Sequence, residues 1–296
     1  MGKEGDNENI GYNGPDPMKD IYFKHCFGID GREHLNEGIV NAVFEDAGLK
    51  TFKNLKLKDK EIVRTYKNKK TVVLDVRSQA SNGSEFLIEA QIKDKKNMHN
   101  RAIFNWCKVL NSLIKIGHKL KKIPKIALIA FLDYELIDDS EKYHNIYKIS
   151  NCTAIKEINQ DLSEICEIHI VEIPKFRKLK NKNYKNNKLQ RFLGFLDDET
   201  PLEERKELIN MDKDIEECQE IINQAQYDPE MQRTQELFEL QEIEINEQME
   251  ELREEVREED NIDFAKKLLN ENMPIDFISR LTGLSFEEIE KFNGHK

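Results

Sequence analysis

The sequence predicts an α/β fold, a mixed central sheet flanked by helices, followed by an acidic, all-helical C-terminal extension. Three observations carry this expectation. Runs rich in β-branched or apolar residues recur at 62–66, 71–76, 86–92, 125–132 and 167–173. A long stretch of helical periodicity at 97–119 lies between them, the alternation that an α/β core requires. Beyond residue 188 the β signal stops and acidic helical patterns take over.

Each element follows from its residues. The first 17 positions are rich in Gly, Asn, Asp and Glu without an apolar block, which reads as a flexible arm and not as a secretory leader. DIYFKHCF at 20–27 carries apolar and aromatic residues at helical intervals. A second helix is expected at 34–47, with Leu35, Ile39, Val43 and Phe44 inward and Gly48 near its C-cap. The runs at 62–66 and 71–76 are separated by Lys67-Asn68-Lys69-Lys70, and Asn82-Gly83 turns the chain into the strand at 86–92, so neighbouring hairpin-connected strands are expected. On the helix at 97–119, Ile103, Trp106, Cys107, Leu110, Leu113 and Ile114 form the apolar stripe. The strand at 125–132 suits a sheet interior, and EIHIVEI at 167–173 alternates, placing His169 outward. Acidic helices are expected at 202–226 and 230–259, the second with a narrow stripe of Phe238, Ile245, Met249, Leu252 and Val256 suited to docking or self-association. A short helix at 261–270 and a helix, turn and helix over 274–292 finish the chain, with Ser285 and Glu288 forming a capping box. The division is therefore 1–17, 18–192, 193–260 and 261–296.

Composition excludes several classes. The 296 residues hold 46 Lys+Arg against 57 Asp+Glu, a net charge of −11, and 35% of them are charged. The longest strongly apolar stretch, 126–132, falls far short of the roughly 20 residues of a membrane helix. Five scattered cysteines without a CxxC pair argue for free thiols in a cytoplasmic protein and against a disulfide framework or zinc knuckle. No Walker loop, GxGxxG, GxSxG or HExxH occurs, and the seven histidines lack metal-ligand spacing. Charge is segregated: 197–260 holds 25 acidic and six basic residues, whereas 175–191 holds eight basic and no acidic ones. A basic body with an acidic extension is compatible with phosphate binding, because affinity follows the local field.

Chemistry concentrates in LDVRSQASNGSEFLIEAQIK, residues 74–93. Asp75 ends one strand, while Glu89 and Gln91 stand two apart on the next and share a face. Two carboxylates there, with Gln91 or the Ala90 carbonyl, suit a hard oxygen-seeking cation, Mg²⁺ with Mn²⁺ as substitute. The competing reading is that both carboxylates lie on solvated strand faces.

These residues resemble the recombination-promoting nuclease and transposase (Rpn-type) branch of the PD-(D/E)XK nuclease superfamily. The likeness runs through Asp20, Phe23, Lys24 and Phe27, Leu74-Asp75-Val76, Ile88-Glu89-Ala90-Gln91, Arg101, Glu167-Ile168-His169 and Glu172-Ile173-Pro174-Lys175-Phe176. It continues to Ala265-Lys266-Lys267-Leu268-Leu269 and the segment at 278–289. The resemblance implies a restriction-endonuclease-like core over 18–192 and Mg²⁺-dependent hydrolysis of the DNA backbone. It implies that Asp75 and Glu89 bind the metal, with Gln91 in the place of the usual active-site lysine. Gln supplies an amide dipole but no positive charge. Lys93, two residues on, could provide that charge. An acidic residue of the first long helix, Glu37 or Glu45 with Glu37 preferred, would complete the site. Arg101, Lys24, Lys95 and Lys96 would contact DNA, Arg101 either on a phosphate or in an internal salt bridge.

Two other readings stand beside the nuclease. One is a catalytically impaired DNA-binding or mobile-element accessory protein, because Gln91 departs from the lysine. The other is an assembly protein whose acidic helices drive homo-oligomerisation. The Pro274–Phe292 segment resembles a helix-turn-helix in outline, but Glu287, Glu288 and Glu290 sit where a groove-reading helix offers basic or amide groups.

Overall fold

A computed structural model describes residues 12, 14–59, 61–62, 72–93, 97–113, 123–149, 165–271 and 273–293. Most of the expected N-terminal arm, the 63–71 part of the first two strand runs, the 114–119 end of the long helix and the side chains of Phe238, Ile245, Met249, Leu252 and Val256 lie outside what is described. The chain resolves into two compact units, residues 1–231 and 232–296.

The first unit opens with α1 (Asp20–Phe27) and α2 (Glu33–Asp46). Short strands β1 (Lys56–Leu57), β2 (Glu61–Ile62) and β3 (Val72–Val73) follow, then β4 (Val76–Gln79) and β5 (Glu85–Gln91). After α3 (Met98–Leu113) come β6 (Ile126–Leu132), β7 (His144–Lys148) and β8 (Cys166–Glu172). The unit is completed by α4 (Ile173–Arg177), α5 (Lys188–Leu196), α6 (Leu202–Met211) and α7 (Lys213–Ala225).

Six strands form one mixed sheet in the order β1-β4-β5-β6-β8-β7, and β2 pairs with β3 separately. β4 and β5 are an antiparallel hairpin in the register Val76↔Ile88 to Gln79↔Glu85. Its turn needs a residue at positive φ, which Gly83 supplies at +87°, and Asn82 Oδ1 accepts from Ser84 N at 3.0 Å. The β5–α3–β6 crossover makes the next pairing parallel, as is β6 with β8. These three central strands are buried along their whole length, the outcome expected of a sheet covered on both faces.

The strand alternation sorts side chains into two layers. On one face Phe86, Ile88, Ala127, Ile129 and Phe131 pack with Phe23 and Phe27 of α1, Ile39, Val43 and Phe44 of α2, Phe192 of α5 and Ile222 of α7. On the other face Leu74, Leu87, Leu128, Leu132, Ile168 and Ile170 pack with Met98, Ala102 and Val109 of α3. Residues 193–225, grouped by composition with the acidic extension, bury Phe195, Leu196, Ile215, Cys218 and Ile222 in the first layer, so the compact unit runs on to Met231. The helix expected at 202–226 is broken at Asp212, which sits in extended conformation and caps α7 by accepting from Asp214 N.

Two further expectations differ from the structure. His169 is fully buried, against Phe44 at 4.9 Å between ring centroids, because Glu167 and His169 point into the α2 layer and Ile168 and Ile170 into the α3 layer. On α3 the buried residues are Met98, Ala102, Asn105 and Val109, whereas Ile103 is 54% exposed and Cys107 is exposed.

The helices expected at 230–259 and 261–270 are one 42-residue helix, α8 (Pro229–Asn270). In the second unit, α9 (Ile275–Thr282) and α10 (Phe286–Asn293) pack Ile278 and Ile289 against Ala265 of α8. Ser285 and Glu288 make the expected capping box, with Ser285 N donating to Glu288 Oε2 at 2.8 Å and Glu288 N to Ser285 Oγ at 3.3 Å. Among the described residues no helix is long and apolar enough to cross a membrane.

Candidate active site

The hairpin register determines where the two carboxylates stand. Asp75 occupies the bend just before β4, and continuing the ladder one step past Val76↔Ile88 sets it opposite Glu89. Its Oδ2 accepts from Ala90 N at 3.0 Å, so the carboxylate is tied to the strand that carries Glu89. Both residues are buried, Glu89 completely.

Each carboxylate faces a cation from a different helix. Lys24 of α1 lies 3.5 Å from Asp75 Oδ1 and also holds Asp20, one turn earlier, at 2.6 Å. Arg101 Nη2 of α3 lies 3.1 Å from Glu89 Oε2. Asn105, one turn after Arg101, donates to Glu89 Oε1 at 2.5 Å. Arg101 thus meets Glu89 through the buried Oε2, and Asn105 through Oε1.

Burial dominates the electrostatics. It pushes Glu89 up to about 7, with Arg101 pulling down, the Asp75 charge pushing up and Asn105 pulling down. Asp75 is likewise raised by burial, with Lys24 opposing and Asp20 reinforcing. The effect of Asp75 on Glu89 places the two within electrostatic reach of one another.

The other expected site residues are distributed differently. Gln91 is buried beside Leu132 of β6, and its Nε2 donates to the Ala90 carbonyl at 2.7 Å. Lys93 is exposed just past β5. Glu37 is not brought to Asp75 and Glu89: it accepts from Leu55 N at 3.2 Å and lines a separate cavity of about 860 Å³ with Glu33, Glu45, Lys188 and Asp214. Lys95 and Lys96 lie outside the described residues. Asn105 and Asp20 join the site without being among its sequence-predicted members, although each stands four residues from a cation that is, Asn105 after Arg101 and Asp20 before Lys24.

Among the described residues no group of three or more His, Cys, Asp or Glu side chains converges as a metal cage. The pair still fits Mg²⁺, which keeps several waters and is commonly held by one or two carboxylates. Glu89 Oε2, buried and paired with Arg101, is the oxygen such a cation would use.

A family model for PD-(D/E)XK nuclease family transposases matches residues 17–263. No curated protein and no solved structure shows a match. The family match spans most of the chain, both layers around the hairpin included, and the chain belongs to the PD-(D/E)XK nuclease family transposases.

Proposed function

We propose that the protein is a divalent-cation-dependent DNA endonuclease that hydrolyses backbone phosphodiesters. The observation that carries this reading is that the buried Asp75 and Glu89 carboxylates, one step beyond the β4–β5 ladder and tied together by the Ala90 amide, stand within electrostatic reach of one another. Asp75 and Glu89 would hold the cation, and Asn105 fixes the Glu89 carboxylate by its amide. When bound, Mg²⁺ or Mn²⁺ supplies Lewis acidity toward water and toward the phosphodiester. Gln91 lies at the strand end, and Lys93, exposed just beyond it, would add positive charge toward the substrate. Lys24 and Arg101, with side chains 26% and 34% exposed, can reach from their helices toward a phosphate.

The test is nicking of supercoiled plasmid in Mg²⁺ or Mn²⁺. Cleavage should fall by at least about a hundredfold in Asp75→Ala and in Glu89→Ala. Undiminished cleavage by both purified variants would overturn the assignment. A second reading, DNA binding without cleavage, is favoured by the Gln91 amide being folded onto the Ala90 carbonyl. Duplex binding by the wild-type protein without cleavage, and without calorimetric binding of Mg²⁺ or Mn²⁺, would select it.

A further inference from the structure

The two cations beside the carboxylates are the more exposed members of their pairs. Glu89 is completely buried, yet its partner Arg101, 3.1 Å away, is 34% exposed. Asp75 is buried, yet Lys24 is 26% exposed and sits at 3.5 Å, farther than its own contact with Asp20. Asn105 and the Ala90 amide, in contrast, hold the same carboxylates by hydrogen bonds from uncharged donors on α3 and β5, at 2.5 and 3.0 Å. Each carboxylate therefore has an anchor besides its cation.

Resting on the nuclease reading, we infer that Arg101 and Lys24 are exchangeable counterions, which a divalent cation displaces from Glu89 and Asp75 and which then bind the DNA backbone. Two positive charges leave two carboxylates as a dication arrives, so local charge is conserved, and the released side chains remain on α1 and α3 beside the site. Metal and DNA binding are then positively coupled, and each ligand tightens the other by the same factor.

The experiment uses the full-length protein, Ca²⁺ as a probe cation and a short blunt DNA duplex. The salt dependence of duplex affinity is measured with Ca²⁺ and with chelator. Each new phosphate contact steepens the slope of log affinity against log salt by about 0.9, so Ca²⁺ should steepen it by about 1 to 2. Arg101→Gln should lose about half of that increment or more, and Arg101→Lys, which keeps a displaceable charge, should retain it. Equal slopes in wild type with and without Ca²⁺ overturn the inference without needing any variant. An increment unchanged in a folded Arg101→Gln protein overturns it as well. Calorimetry separates the two levels: Ca²⁺ binding with no change of slope sinks the exchange alone, whereas no Ca²⁺ binding at all sinks the exchange together with the metal-dependent reading.

Discussion

Glu89 carries the sharpest consequence at the scale of a single residue. Its folded value near 7 stands above the ordinary 4.5 because burial disfavours the charge. The folded protein therefore holds more protons than the unfolded chain between those values, and stability contributed by the protonated acid is lost as pH rises from about 4.5 to 7. Glu89→Gln should remove this slope, and chemical denaturation of the two proteins at pH 5 and pH 8 should show the variant gaining relative to wild type by up to about 3 kcal/mol. Metal affinity runs the opposite way, because the cation needs the ionised acid: Ca²⁺ binding should strengthen from pH 6 to pH 8. Asn105→Ala removes a donor that favours the ionised form, so that rise should move to higher pH. The shared face of Glu89 and Gln91 is legible in the sequence from strand alternation on β5, whereas the run expected to be one strand at 71–76 is split, and Asp75 sits in a bend before β4 and not at a strand end. Glu37 stands apart from them because it lies two residues, about 200°, beyond Leu35 on α2, turned from the core toward Leu55.

At the scale of elements, α3 shows where counting apolar residues misleads. The apolar pattern draws its stripe through Ile103 and Cys107, but the helix turns Asn105 inward to reach Glu89, and Ile103 stays exposed. A buried amide that serves a carboxylate is invisible to a pattern built on apolar residues. The β7–β8 edge makes the same point. His144 Nδ1 lies 2.7 Å from Asp46 Oδ2, its Nε2 lies 3.0 Å from His169 Nδ1, and His169 Nε2 lies 3.6 Å from Glu167 Oε2. Burial holds His169 down to about 4, against an ordinary 6.5. Between those values the unfolded chain binds the extra proton, so this contribution is complete above about 6.5 and lost as pH falls toward 4. His169→Asn, which keeps a polar group beside His144, should show a shallower loss of denaturant midpoint between pH 6.5 and pH 4.5 than wild type, on the order of the lost linkage.

For the whole molecule, composition and packing draw different boundaries. Charge places a break near residue 192, where the acidic region begins, yet α5 to α7 complete the core under the sheet. Acidic residues on the outer faces of α6 and α7 hide the apolar residues beneath, which include Leu208, Ile215 and Ile222. Cutting after Arg191 would expose the α1 and α2 layer of Phe23, Phe27 and Ile39, and removing several large buried side chains at once costs far more than the roughly 5–15 kcal/mol that holds a domain together. Cutting after Met231 leaves that layer and the Asp75–Glu89 hairpin intact. The 1–231 protein should therefore unfold cooperatively and retain Ca²⁺ binding, whereas the 1–191 protein should be insoluble or lack a thermal transition. Circular dichroism melts and calorimetry on the two truncations check this, and a folded 1–191 protein with a wild-type melt would show that α5 to α7 are not part of the core that supports the site.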